Sequence, residues 1–175
     1  MKRIGLLFIT LLLATCGCTR AASTSAPQSV ATAGGTRLCA AADLRTSSNS
    51  NDASGSIQIG VTLVNVSQTA CLVIGPPPVT MMGNGRVLDL QIIQAPSDQT
   101  PPAPPAVMVA PGNSIVAILL WSNYCGGALA GGPTLHLALT TDQGLDIPLE
   151  PQAVPDCTAQ NQPSTLTINP YSFPP

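Results

Sequence analysis

Apolar and polar residues alternate along much of this chain, and the alternation has a period of two. In SIQIGVTLVN, residues 56–65, Ile57, Ile59, Val61 and Leu63 fall on one side and Gln58, Gly60 and Thr62 on the other. That is the pattern of a strand buried on one face. CLVI, residues 71–74, is a short continuous apolar run that ends at Gly75 and three prolines. Asn84-Gly85 is a strong two-residue hairpin signal, and beyond it Leu88, Leu90 and Ile92 share one face of a returning strand. SDQTPPAPPA, residues 97–106, reads as a loop because its prolines cannot donate to a ladder. Val107 to Val109 is a short strand, Pro111-Gly112-Asn113 a turn, and Ile115 to Trp121 a run long enough for a central strand.

The pattern continues to the C-terminal end. Leu135, Leu137 and Leu139 alternate, Asp142-Gln143-Gly144 turns the chain, and Leu145, Ile147 and Leu149 return. Leu166 and Ile168 suggest a last strand. AAADLR, residues 40–45, has room for one helical turn, and no segment carries a helical stripe. Eight or nine short strands between Gly/Pro turns predict an all-β fold. The expected architecture is an antiparallel immunoglobulin-like β-sandwich with two disulfides over residues 38–175.

The N-terminal end follows a different logic. Lys2 and Arg3 precede an apolar stretch from Ile4 to Ala14. It is shorter than the roughly 20 residues a spanning helix needs and fits a secretory signal. Leu13-Ala14-Thr15-Cys16 resembles a bacterial lipobox, in which a thiol that will carry lipid follows a leucine and two small residues. Residues 1–15 are therefore expected to be a lipoprotein signal peptide, with Cys16 as the lipidated residue and Cys18 the alternative. Residues 16–37, rich in Ser, Thr and Ala, read as the tether. No transmembrane helix is expected, and the membrane is a partner through the lipid.

Charge narrows the partners. Only 8% of the residues are charged, 3% are aromatic, and no lysine follows Lys2. Nucleic-acid binding needs clustered Lys and Arg, often with stacking aromatics, so this function class is excluded. An apolar fraction of 45% argues for a packed domain.

Cys39, Cys71, Cys125 and Cys157 remain once the anchor region is set aside. In an exported protein an even number of cysteines suggests a disulfide framework. Three pairings are open, and Cys39–Cys71 with Cys125–Cys157 is the favoured one. No C-x-x-C pair points to zinc. A blue-copper site needs two histidines, and His136 stands alone. No metal or cofactor is expected.

No catalytic residue is assigned. His136, between Leu135 and Leu137, is expected on the solvent face of its strand. No G-x-S-x-G, H-E-x-x-H or phosphate loop is present. The most binding-like stretch is Trp121, Asn123 and Tyr124, followed by Cys125-Gly126-Gly127. Trp and Tyr recur at recognition surfaces, although Trp121 also reads as the core residue ending a buried strand. Asn65-Val66-Ser67 reads as a turn.

TLVNVSQTACLVIGPPPVTMMGNGRVL, then VMVAPGNSIVAILLWSNYC, then Cys157, resembles a group of bacterial secreted proteins and lipoproteins, the domain-of-unknown-function family four-two-three-two. Asn65, Ser67, Cys71, Gly75, Pro76, Gly85, Pro111, Gly112, Trp121, Cys125 and Cys157 fall on its pattern, and Cys39 matches its early cysteine. The resemblance covers residues 38–158. It implies a β-sandwich with disulfides at the cell surface and brings no catalytic residue.

The expectation is a lipid-anchored, extracytoplasmic, non-enzymatic β-sandwich that presents loops to an envelope protein or polysaccharide. The alternative is an extracytoplasmic hydrolase using the acidic residues from Asp142 through Asp146 to Glu150.

Overall fold

The structure, a computed structural model, describes residues 37–95 and 106–174. The signal peptide and nearly all of the tether, with Cys16 and Cys18, lie outside the described residues, as does nearly all of the proline-rich stretch 97–106. A 3-10 turn over Ala41–Asp43 leads into β1 (Leu44–Ala53), β2 (Ser56–Asn65), β3 (Cys71–Ile74), β4 (Val79–Gly83), β5 (Arg86–Val87) and β6 (Gln91–Gln94). Then come β7 (Ala106–Val109), β8 (Ser114–Ser122), β9 (Thr134–Ala138), β10 (Gly144–Pro148) and β11 (Thr165–Ile168). No helix among the described residues is long and apolar enough to cross a membrane.

The strands form a five-stranded sheet in the order β1-β2-β8-β11-β6, a four-stranded sheet β10-β9-β4-β5, and a ribbon of β3 and β7. One core takes the inward residues of all three. Ile57, Ile59, Val61 and Leu63 of β2 meet Ile115, Leu119 and Trp121 of β8 there, with Met81, Leu135, Leu137, Leu166 and Ile168. Each such side chain withdrawn from water contributes about 1.5–3 kcal/mol. This layering makes the domain an all-β sandwich.

Two expectations need correction. The sheets are not fully antiparallel: β6 runs parallel to β11, from Gln91↔Thr165 to Gln94↔Ile168. The returning strand after the Asn84-Gly85 hairpin is also not continuous. β5 pairs with β4 in one sheet and β6 with β11 in the other, so the chain crosses between layers at residues 88–90. Leu88 is buried at the crossing, Leu90 half-buried and Ile92 exposed, which ends the predicted common face. The hairpin itself stands, because Asn84 and Gly85 both adopt positive φ, 50° and 74°, as a two-residue turn of this hand requires.

A strand that alternation does not predict is β1. It pairs with β2 over its full length, from Leu44↔Asn65 to Ala53↔Ser56. Only Leu44 in it is buried. Its half-buried face is polar because it meets polar partners: Ser48 Oγ donates to Pro148 O at 3.2 Å, and Ser50 Oγ to Glu150 Oε2 at 3.1 Å.

Disulfides join Cys39 to Cys71 and Cys125 to Cys157, each across 32 residues. On the loop-entropy account a ring of that size contributes about 3–4 kcal/mol.

Candidate functional site

The end of β8 builds one wall of a surface cleft. Trp121 closes the strand fully buried, and its indole N–H donates to Ser164 Oγ at 2.9 Å. Two residues on, Asn123 turns the chain with φ at +56°, a left-handed conformation that asparagine tolerates better than most residues. Its side chain then organises the facing loop. Asn123 Nδ2 donates to Ala159 O at 2.9 Å and Gln162 O at 3.0 Å. Its Oδ1 accepts from the backbone N–H groups of Thr158 at 3.0 Å and Ala159 at 2.8 Å. The Cys125–Cys157 bridge, with Cα atoms 4.6 Å apart, ties the same two loops covalently.

Tyr124 sits between these ties. Its ring centroid is 5.2 Å from that of Trp121 at 57°, a tilted aromatic contact. Gly126 lies against the hydroxyl end of the ring, where a Cβ would strike the phenol. The ring is thus held half-buried beside a surface cleft of about 380 Å³, within the range of small-ligand sites, about 300–1,000 Å³. Arg86, Val87, Asp89 and Gln162 line the rest of it. The cleft therefore offers a guanidinium, a carboxylate, the Gln162 amide, the Ser164 hydroxyl and an aromatic ring, with the Asn123 amide already engaged by the loop.

This geometry sorts the three residues singled out from the sequence. Trp121 is core and touches no solvent. Asn123 is buried at 8% exposure, with both ends of its amide engaged by the loop backbone, so its part is to build the site. Asn123 and Tyr124 both line the cleft, and of the two Tyr124 presents the more exposed side chain. Arg86, Val87, Asp89 and Gln162 were not found by sequence reasoning. They come from β5, the layer crossing and the loop before β11, which no local pattern connects to Tyr124.

Asn65-Val66-Ser67 is purely architectural. Asn65 is fully buried. Its Nδ2 donates to Thr69 O and Val109 O, both at 2.9 Å, and its Oδ1 accepts from Ser67 N–H at 2.9 Å and Ser67 Oγ at 2.7 Å. That is the turn expected at residues 65–67.

The acidic residues from Asp142 to Glu150 do not converge. Asp142 lies exposed in the turn, and Glu150 accepts from Ser50 and from Gln152 Nε2 at 2.8 Å. Asp146 stands beside His136, its register partner, with Oδ1 2.6 Å from Nδ1. Both point outward, opposite to the buried Leu135 and Leu137. The imidazole lies over Gly144, where a Cβ would come within 2.6 Å of Nε2. With its proton on Nδ1 the imidazole donates to the carboxylate. Among the described residues no hydroxyl or thiol is hydrogen-bonded to this ring, and no three His, Cys, Asp or Glu side chains gather as metal ligands.

A family model described as Domain of unknown function (DUF4232) matches residues 39–172. The chain belongs to the DUF4232 family. No curated protein and no solved structure matches it. The matched span of this DUF4232 domain includes both disulfides, both buried asparagines and the whole Tyr124 cleft.

Proposed function

We propose that this DUF4232 protein is a lipid-anchored, extracytoplasmic binding protein, non-enzymatic, whose Tyr124 cleft contacts an envelope protein or polysaccharide. The observation that carries the reading is the bracing of that cleft. A disulfide and the Asn123 amide hold its two loops, and an aromatic ring is fixed at its wall. A preordered loop loses little entropy on binding, and tyrosine recurs among the residues that dominate contact energies. The anchoring part rests on the Leu13-Ala14-Thr15-Cys16 sequence.

Two measurements test it. Metabolic labelling with an alkyne-bearing fatty acid is expected to mark the mature chain and to be lost in Cys16→Ser, or in Cys18→Ser if that residue carries the lipid. A labelled double variant would refute the anchor. A photo-crosslinking residue at Tyr124 is expected to capture an envelope protein or polysaccharide that the same residue at Asp52 does not. Tyr124→Ala in an otherwise unmodified chain should weaken that contact by about tenfold. Equal capture from both positions would refute the cleft.

The His136–Asp146 pair favours a second reading, an extracytoplasmic hydrolase in which Asp146 orients the imidazole as a general base. Turnover of ester, glycoside or peptide substrates that disappears in both His136→Ala and Asp146→Asn would support it.

A further inference from the structure

Leu38, Leu72 and Met108 form a row across three neighbouring backbone segments. Leu38 bridges Leu72 in parallel, through Cys39 N–H to Leu72 O and Leu72 N–H to Arg37 O, each 2.9 Å. Leu72 lies directly opposite Met108, and Ile74 opposite Ala106. Directly opposed residues share a face. The inner face of this ribbon carries Cys71, Val73, Val107 and Val109, all buried. The outer face carries Leu38, Ile74 and Met108 at 42%, 51% and 54% exposure, with Leu72 half-buried between them. Contiguous exposed apolar side chains, unlike singly scattered ones, point to an interaction or membrane surface. Neither residues 71–85 nor residues 106–141 include a single Asp, Glu, Lys or Arg.

We infer that the outer face of the β3–β7 ribbon docks on the lipid bilayer. The inference rests on the lipid anchoring proposed above. Leu38 belongs to the face and is also where the chain leads back toward Cys16. Residues 16–38 reach at most about 75 Å even fully extended, so an anchored domain stays beside its membrane. Covalent connection brings the surroundings of Leu38 closest to the anchor. Once one end is held, the second contact is intramolecular, with an effective concentration in about the millimolar range. A modest apolar face then suffices. Seated at the boundary of headgroups and acyl chains, it encounters no carboxylate of its own strands that would need to be dehydrated.

The test uses the full acylated chain reconstituted into vesicles of phosphatidylethanolamine and phosphatidylglycerol, with and without brominated acyl chains. Tryptophan is introduced as Met108→Trp and, separately, Ile74→Trp. Asn51→Trp, at the hairpin end of β1, is the control, and the buried Trp121 gives a constant background. Brominated lipid is expected to quench Met108→Trp and Ile74→Trp, with a blue shift on reconstitution, and to leave Asn51→Trp unchanged. Two exposed positions are used so that one misfolded variant does not decide the result. Protein that floats with the vesicles but shows no selective quenching overturns the docking face while the anchor stands. Protein that does not float overturns both. A blue shift that needs no vesicles and accompanies dimer formation in sedimentation assigns the face to a second copy and overturns the bilayer as its occupant.

Discussion

Two asparagines, each near a disulfide, do similar work at opposite places. Among the described residues Asn65 and Asn123 are the polar side chains buried with the core, and each uses both ends of its amide on backbone groups: Asn65 on the turn that follows it and on Val109 of β7, Asn123 on the loop at residues 158–162. Truncation would leave those carbonyl and N–H groups buried without partners. Asn65→Ala is expected to lower the unfolding free energy by about 2–4 kcal/mol, read as a lower urea midpoint at unchanged slope. Asn65→Asp should be worse, because a carboxylate cannot donate to Thr69 O and Val109 O. Tyr171 is the opposite case. Among the described residues its buried hydroxyl has no hydrogen-bond partner, and burial pushes the phenol well above its ordinary value. The folded state therefore keeps the neutral form, while the unfolded chain ionises near pH 10. Stability from this source is present below about pH 10 and is lost as pH rises further. Tyr171→Phe is expected to keep or raise stability at neutral pH and to flatten that alkaline loss, measured by thermal unfolding across about pH 8–11.

At the scale of elements, the segment before β1 is fastened by charge. Arg37 donates to both carboxylate oxygens of Asp43 and to Thr69 Oγ1, and the Ala40 N–H also donates to Asp43. The Arg37 hydrogen bond, and after it that of Ala40, hold the Asp43 carboxyl below its ordinary value of 3.8. A depressed carboxyl stabilises the fold above that value and loses the contribution as pH falls below it. Because the pair is partly exposed, the effect is small. Asp43→Asn should narrow the difference between urea midpoints measured at about pH 7 and pH 3. The legible elements were β2, β9, β10 and β11, which announced themselves by alternation, and β8, which did so as an unbroken apolar run. β1 did not, since its inward serines bond to β10 and to Glu150 and need no apolar side chain. The break between β5 and β6 was also invisible, because a chain that changes layers keeps its apolar residues and only changes what they touch.

Across the whole molecule, three sheets share one core, so the domain should lose structure in a single step. Trp121 is the only tryptophan and lies wholly inside that core. Its fluorescence and the far-ultraviolet circular dichroism are expected to give coincident urea transitions; separated midpoints would mean that the sheets unfold independently. The sequence alone settled the all-β class, the hairpin at Asn84-Gly85 and the turn at Asn65, because period-two alternation and left-handed turn residues are local properties of a strand and its loop. It also yielded Tyr124 as a residue of interest. Only the tertiary structure decided the parallel β6–β11 pair, the burial of Asn123, the meeting of Tyr124 with Arg86 and Asp89, and the exposed row of Leu38, Leu72 and Met108. Those depend on which distant segments become neighbours, and the spacing of residues along one strand carries no record of that.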